Sequence, residues 1–212
     1  MSQEIVIGGG KRTPFGDFGK SLRDTPLSQL ATHAAHAALM DAKVEPNDVD
    51  HLVWGNVLPV DPDGFYTGRV AALNVGMREE SCALQVNRAC GSGTQAIITA
   101  AQQIMTGHSK IALAGGGENF SRGGFVNQKM RWGAIRGAQA FEDSVEWAYN
   151  DPFGHGLMGV TGENLADDFQ YLREDMDKWG EMSQQNQDSG FDQSPQNAQE
   201  ESVPWDDDDI PF

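Results

Sequence analysis

A cysteine at position 90 is the residue of this sequence best placed for nucleophilic chemistry. It lies where an apolar run, 83–86, gives way to small residues, and a helical pattern starts at Thr94 and continues to about Met105. This order predicts a strand, a tight turn and a helix, with the thiol on the turn. Free N–H groups and the positive end of the helix dipole favour a thiolate there, and the neighbouring glycines let a ligand approach the backbone closely.

The elements that would position this turn alternate between strands and helices. Such alternation implies crossover connections and an α/β fold with a largely parallel sheet flanked by helices. Ligands bind beyond the carboxyl ends of strands in these sheets, and both Cys90 and the glycines at 115–117 fall at such ends. Thr25 is the expected N-cap of the first helix, with Pro26 at its first position. The expected strands are 4–10, 50–58, 83–86 and 110–114, and the expected helices are 26–42, 67–75 and 94–105.

Four segments, in the same order, resemble motifs of the thiolases, a family of acyl-CoA acyltransferases. Residues 87–93 are similar to the Asn-x-x-Cys-x-Ser-Gly nucleophile turn, and residues 114–121 are similar to the Ala-Gly-Gly-x-Glu-x-x-Ser strand end. Residues 12–16 resemble the opening Arg-Thr-Pro turn, and residues 158–166 resemble the Met-Gly-x-Thr-Ala-Glu-Asn segment. The resemblance covers roughly residues 4–187 and implies the N-terminal half of the thiolase fold, with a mixed, largely parallel sheet.

The resemblance implies an enzyme that works through an acyl-cysteine. In that family the thiolate, here Cys90, attacks an acyl-CoA thioester and passes the acyl group to a second acyl-CoA; the reverse reaction cleaves a 3-ketoacyl-CoA. The backbone N–H of Cys90 is a candidate oxyanion donor. The implied substrate-binding positions are Gly116, Gly117, His155 and Met158. A coenzyme A thioester is the expected substrate, and neither a permanently bound cofactor nor a metal is expected.

Motifs of the second half of that family are missing from this sequence. The family's Asn-Glu-Ala segment, its Gly-His-Pro histidine and its Cys-x-Gly-Gly-Gly cysteine do not occur. The reaction is therefore expected to be complete only with another chain that supplies the acid–base pair, or this chain is a truncated form of a working enzyme. One half alone would also leave a face of the helix at 94–105 uncovered, so we predict a homo-oligomer or pairing with a second-half chain.

Three regions follow from composition and resemblance. Residues 1–121 are expected to form the α/β core with the nucleophile turn, and residues 122–187 an irregular excursion that the resemblance places over the coenzyme A side of the pocket. Residues 188–212 are rich in Gln, Asn, Ser, Pro and Asp and are expected to be a disordered acidic tail. Cations of the second region could contact coenzyme A phosphates or be solvated surface charges: Arg122, Lys129, Arg131 and Arg136.

The end of the chain suggests an alternative function. Residues 205–212 resemble the acidic C-terminal tip of bacterial single-stranded DNA-binding proteins, which docks on DNA-maintenance enzymes. The resemblance implies that Phe212 inserts into a basic-rimmed apolar pocket of a protein partner. The alternative is therefore a non-catalytic, thiolase-like interaction protein that presents this peptide. A tail that only increases solubility would have the same composition.

Charge and cysteine content exclude other classes. The net charge of −16 argues against direct binding of nucleic acid or an anionic membrane. No apolar run has the length of a membrane span and no signal peptide is evident, so the cytoplasm is the expected location. Two cysteines do not make a disulfide framework, and Cys82 is expected to be a small core residue. His33 and His36 are expected to be surface or interface residues and not metal ligands, since no Cys or acidic residue lies at metal-site spacing from them.

Overall fold

The computed structural model describes residues 4–190, which divide into two compact units with the boundary between Asn150 and Asp151. The first unit contains a parallel sheet with the strand order β2–β1–β3. This arrangement confirms an α/β fold with a parallel sheet flanked by helices. The strands are β1 (His51–Gly55), β2 (Cys82–Val86) and β3 (Ala112–Gly116), and the helices are α1 (Leu27–Ala42), α2 (Thr67–Asn74) and α3 (Ser92–Met105).

The central strand β1 is buried because helices cover both of its faces. Successive side chains of a strand point to opposite faces. Leu52 and Trp54 join the core that includes side chains of α1 and α2, whereas Val53 packs with Ala96 and Ala100 of α3. A central strand covered on both sides needs a nearly continuous apolar sequence, which β1 has.

Helix α1 begins one residue later than its sequence pattern indicates. Pro26, not Thr25, is the N-cap, and it has no side chain to cap the helix. The carboxylate of Asp61 accepts a hydrogen bond from the Leu27 N–H at 3.0 Å instead. The first turn is thus capped by a buried acid 34 positions further along the chain. No local sequence motif predicts this contact.

Two further sequence predictions in this unit were wrong. Residues 4–10 do not form a strand, and Val6 and Ile7 are exposed, because no strand among residues 4–190 pairs with this segment. An apolar run becomes a strand only where a neighbour completes its ladder. Cys82 is exposed and not a core residue, because it opens β2, which lies at an edge of the sheet.

The rest of the described chain has many exposed side chains. In the first unit β4 (Phe125–Val126) pairs antiparallel with β5 (Glu142–Asp143), and Asp143 caps α4 (Ser144–Tyr149). The second unit includes α5 (Met158–Phe169) and α6 (Arg173–Gly190). The remaining short strands are β6 (Asn150–Asp151) and β7 (Gly156–Leu157), and the 3₁₀ helices are Pro46–Asp48, Gly64–Tyr66, Phe120–Arg122 and Met130–Trp132.

Two searches gave negative results for the part of the chain that the structure describes. None of its helices combines the length and apolarity needed to cross a membrane. None of its His, Cys, Asp and Glu side chains cluster in threes as a metal site would require. The tip at 205–212, including Phe212, lies outside the described residues, so the docking prediction remains a prediction.

Candidate functional site

Cys90 lies on the turn between β2 and α3, as the sequence predicts. β2 ends at Val86 and α3 starts at Ser92 with Gly91 as its N-cap, so the cysteine directly precedes the cap. Its side chain is exposed. Gly55, at the end of β1, permits this arrangement: a Cβ there would lie 2.6 Å from the carbonyl oxygen of Ser92. A side chain at Gly55 would push the start of α3, and the thiol with it, away from the sheet.

The residue before Cys90 has a strained backbone. Ala89 has a φ of 45°, in the left-handed region that costs an L-residue roughly 1–2 kcal/mol. Hydrogen bonds on both sides hold it there. Its N–H donates to the side-chain oxygen of Asn87 at 3.0 Å, and its carbonyl oxygen accepts from the Ser92 hydroxyl at 2.6 Å and the Ser92 N–H at 3.0 Å. Strain that the surroundings hold in place is a common property of functional turns.

Asn87 connects this turn to the loop after β1. Its side-chain NH₂ donates to the Val57 carbonyl oxygen at 3.1 Å, while its oxygen accepts from the Ala89 N–H. One side chain thus holds both the neighbouring loop and the strained residue. This contact gives a physical reason for the asparagine at the start of the Asn-x-x-Cys pattern.

Glu118, which lies just after the carboxyl end of β3, holds the loop after β1 in place. Its carboxylate accepts hydrogen bonds from the Val57 N–H, the Leu58 N–H at 3.2 Å and the Asn56 side-chain NH₂ at 2.9 Å. Burial raises the pKa of Glu118, and these hydrogen bonds oppose that shift. Glu118 therefore positions the loop that Asn87 holds. Sequence reasoning did not assign it a role, although a lone acid directly after a glycine-rich strand end was a usable signal.

Close packing against β1 restricts side chains at two of the expected substrate positions. A Cβ at Gly116 would lie 2.8 Å from the Gly55 carbonyl oxygen, and one at Gly117 would lie 3.2 Å from Cζ2 of Trp54. The N–H of Gly117 also donates to the Gly55 carbonyl oxygen at 3.0 Å. Close contact with β1 thus requires glycine at position 116, whereas a side chain at position 117 would need the Trp54 ring to shift by a few tenths of an ångström. Their contact with substrate remains a prediction.

The other two expected substrate positions belong to the second unit. Nε2 of His155 lies 3.8 Å from a carboxylate oxygen of Asp151, and the imidazole is largely exposed. Met158 is the first residue of α5 and is half exposed. Both side chains are open to a ligand. Their participation in the site remains a prediction.

One of the four cations considered for phosphate binding has an internal role. Nε of Arg122 lies 2.5 Å from the buried carboxylate of Asp61, and its Nη1 donates to the Asp24 carbonyl oxygen at 2.9 Å. Arg122 therefore stabilises the acid that caps α1. The other three cations remain exposed: Lys129, Arg131 and Arg136.

Known proteins are similar to this chain in both sequence and fold. The family profile described as the N-terminal domain of thiolase matches residues 5–206, which extends past the last motif found by inspection. The chain is 42% identical over 178 residues to the β-ketothiolase BktB of Cupriavidus necator, covering 84% of this chain and 45% of that protein. It is 37% identical over 182 residues to the human mitochondrial 3-ketoacyl-CoA thiolase, covering 85% of this chain and 46% of the human protein.

Solved structures agree with the sequence matches. The crystal structure of human mitochondrial 3-ketoacyl-CoA thiolase in complex with CoA superimposes with a TM-score of 0.80 at 36% identity, covering 86% of this chain and 47% of that one. The acetyl-CoA acetyltransferase of Bacillus anthracis gives a TM-score of 0.77 at 34% identity, covering 82% and 44%. This chain thus spans less than half the length of these relatives.

Proposed function

The chain belongs to the thiolase family, and from that premise we propose that it accepts an acyl group from a coenzyme A thioester on the sulfur of Cys90. The observation that carries the proposal is the exposed thiol on a turn held by three strand ends. The Cys82 thiol is also exposed but lies at the start of an edge strand, away from the Asn87 and Glu118 contacts.

The first half of the reaction requires only this nucleophile and the thioester. The Cys90 thiolate attacks the carbonyl carbon, and the carbon–sulfur bond to coenzyme A breaks. Coenzyme A leaves as a thiolate and takes up a proton equivalent to the one that Cys90 lost, so charge and protons balance. The N–H of Cys90 can stabilise the tetrahedral oxyanion, since it belongs to the turn that precedes the start of α3.

The second half of the reaction needs further catalytic groups, and the family's motifs that carry those groups do not occur in this sequence. Transfer to carbon requires a base that removes the α-proton of a second acyl-CoA, and thiolysis of a 3-ketoacyl-CoA requires activation of coenzyme A. Pairing with a chain that carries the missing half would provide them. On α3 three large apolar side chains are exposed, Ile97, Ile98 and Met105, which supports association with a second-half chain or a second copy.

Mass spectrometry of the whole protein after incubation with acetyl-CoA tests the proposal. We expect one acetyl group on Cys90 and release of an equal amount of free coenzyme A. The Cys90→Ser variant should lose the adduct, and the matched Cys82→Ser variant should keep it. An unmodified protein, or acetylation that persists in Cys90→Ser, would refute the proposal.

A further inference from the structure

The loop between β4 and β5, residues 127–141, carries only positive charge. Its fifteen residues include Lys129, Arg131 and Arg136 and contain no Asp or Glu, in a chain with a net charge of −16. All three side chains are exposed, and none forms an ion pair with another of the residues 4–190. This basic loop therefore offers three cations that the described part of the chain leaves unpaired.

Large apolar side chains lie between these cations in the basic loop. Met130 is 53% exposed, Trp132 is 83% exposed and Ile135 is 93% exposed. Aromatic residues, Met and Arg are the residue types that are enriched in the centres of protein interfaces. Unpaired charge combined with exposed apolar surface thus marks the basic loop as a docking surface for a ligand that is both acidic and apolar.

Hydrogen bonds within the basic loop hold it in one conformation. The side-chain NH₂ of Asn127 donates to the Ala140 carbonyl oxygen at 2.7 Å, which joins the two ends of the loop. The side-chain oxygen of Asn127 accepts from the Lys129 N–H and the Met130 N–H, each at 2.9 Å. The antiparallel pairing of β4 with β5 closes the base of the loop. Because the loop is ordered before a ligand binds, little entropy is lost there on binding.

The same chain contains a segment with the complementary chemistry, residues 205–212. This acidic segment combines four consecutive acids with the apolar side chains of Trp205, Ile210 and Phe212, and residues 191–212 contain no Lys or Arg. The profile of the thiolase N-terminal domain ends at residue 206, so the last six residues lie beyond it. The acidic segment therefore complements the basic loop in charge and resembles it in apolar content.

We propose that the basic loop binds the acidic segment of the same chain. The carboxylates of the segment pair with the three cations, and its apolar side chains cover Trp132 and Ile135. In the bound state the loop is closed to other anions and to other apolar surfaces. The interaction does not involve Cys90, so it is independent of acyl transfer.

The length of the connecting chain permits this contact. Fourteen residues separate Gly190 from Trp205, and a connection of this length extends to at most roughly 50 Å. A domain of about 150 residues has a radius of gyration of roughly 15 Å. Attachment to the same chain gives a linked segment an effective concentration of about 1 mM. A contact that is too weak for a free peptide is therefore occupied within the chain.

Carbodiimide cross-linking of the full chain tests the proposal, since this reagent joins a Lys amine directly to a carboxylate that touches it. We expect a cross-link between Lys129, the single lysine of the basic loop, and one of the four acids 206–209, identified by mass spectrometry of tryptic peptides. Its yield should fall at least about fivefold between about 50 mM and about 500 mM NaCl, because salt screens exposed charges. A tail that only increases solubility gives no such cross-link, and that result would overturn the proposal.

Matched charge substitutions separate the basic loop from the charge of the whole molecule. Arg131→Gln combined with Arg136→Gln keeps the amine of Lys129 and should reduce the cross-link at least about tenfold. Lys20→Gln combined with Arg23→Gln removes the same charge from exposed positions elsewhere and should leave the yield unchanged. Circular dichroism verifies the fold of each variant. An unchanged yield in the first variant, or equal losses in both, would contradict the proposal.

The apolar part of the contact has its own matched pair. Trp132→Ala should reduce the cross-link about threefold because it removes the most exposed aromatic ring of the basic loop. Phe65→Ala removes a ring that is 72% exposed outside the loop and should have no effect. Equal yields in the two variants would show that the acidic segment does not cover Trp132.

Isotope mixing identifies the chain that supplies the acidic segment. Equal amounts of unlabelled and ¹⁵N-labelled chains are mixed before cross-linking, and the isotopic composition of each cross-linked peptide pair is measured. We expect pairs in which both peptides carry the same isotope. If about half of the pairs combine the two isotopes, the segment belongs to a second copy and the proposal is wrong.

Discussion

Each end of the parallel sheet carries a cluster of hydrogen-bonded polar residues. The two clusters differ in whether they surround a reactive side chain. At the amino end, Asp50 accepts hydrogen bonds from the Lys110 N–H at 2.7 Å and the Ile111 N–H at 3.3 Å, and pairs with Arg78 at 2.8 Å. Every one of these contacts joins neighbouring strands or their loops. The cluster therefore stabilises the start of the sheet and presents no reactive group of its own.

At the carboxyl end, the polar contacts hold loops around an accessible thiol. Glu118 and Asn87 fix the loop after β1 and the turn after β2, while Ala89 is strained and Cys90 is exposed. A purely structural cluster would not need a strained residue beside an open thiol. Hydrogen-bonded polar residues alone therefore do not identify a site. The carboxyl end is distinguished by a strained residue directly beside an exposed thiol, since Cys82, the exposed thiol at the amino end, has no such neighbour.

The two cysteines give the largest expected difference between the ends, since both are exposed, Cys82 starts β2 and Cys90 lies after its carboxyl end. Cys90 should be alkylated by iodoacetamide on the order of 100-fold faster than Cys82, because it directly precedes the N-terminus of α3. Peptide mapping over time measures both rates. Acetyl-CoA should protect Cys90 and leave Cys82 unaffected. Equal rates for the two thiols would remove the distinction between the two ends.

Substitution of Ala89 tests whether the strain is real. Ala89→Val should lower the free energy of unfolding by about 2 kcal/mol, because a β-branched residue tolerates the left-handed region poorly. Ala89→Gly is the matched control and should change it by less than about 1 kcal/mol, since relief of strain offsets the entropy that glycine loses on folding. Urea unfolding measures both. A valine variant as stable as the native chain would show that the turn is relaxed.

Asn87 tests positioning of the nucleophile. Asn87→Ala removes both hydrogen bonds of the side chain and should slow acetylation of Cys90 about fivefold, a loss of about 1 kcal/mol. Asn87→Asp keeps an acceptor for the Ala89 N–H and should recover part of the rate. The measurement is the time course of adduct formation with the unfolding free energy of each variant. If both variants acylate at the native rate, Asn87 does not position the turn.

Asp50 gives the smallest expected effect, a pH-dependent one at the amino end. Hydrogen bonds, first from the Lys110 N–H and then from Ile111 and Arg78, lower the pKa of Asp50 below 3.8. A lowered pKa in the folded state contributes stability above pH 3.8 that is lost as pH falls through the folded pKa. Asp50→Asn should therefore cost about 1 kcal/mol at pH 7 and progressively less below pH 3.8.

The matched control for this pH effect is Asp48→Asn. Asp48 is exposed and lies two positions before Asp50, so its substitution should change stability by less than about 0.5 kcal/mol throughout. Thermal unfolding between pH 2.5 and 7 measures both variants. A penalty for Asp50→Asn that is constant over this range would contradict an ionised, hydrogen-bonded Asp50.

Local sequence patterns predicted the elements that carry the site, because those elements are determined by neighbouring residues. The apolar run before Cys90 and the helical pattern after it gave β2, the turn and α3 in their observed order. The strained conformation of Ala89 could not be predicted from the sequence, since alanine has no preference for the left-handed region. The contacts with Asn87 and Ser92 hold it there.

Features that depend on distant partners were missed. The capping of α1 by Asp61 joins residues 34 positions apart, and the role of Glu118 depends on loops that meet only in the folded sheet. Residues 4–10 have the composition of a strand but no partner strand among residues 4–190. In each case the structure depends on whether residues far apart in the sequence come into contact, which a local pattern does not show.

Isotope exchange between labelled coenzyme A and unlabelled acetyl-CoA tests the central claim most directly, because exchange requires the acyl group to leave coenzyme A and return to it through the protein. The account predicts steady transfer of label into acetyl-CoA with the native chain and with Cys82→Ser, and none with Cys90→Ser. Absence of exchange with the native chain, or exchange that persists in Cys90→Ser, would contradict an acyl-cysteine at position 90.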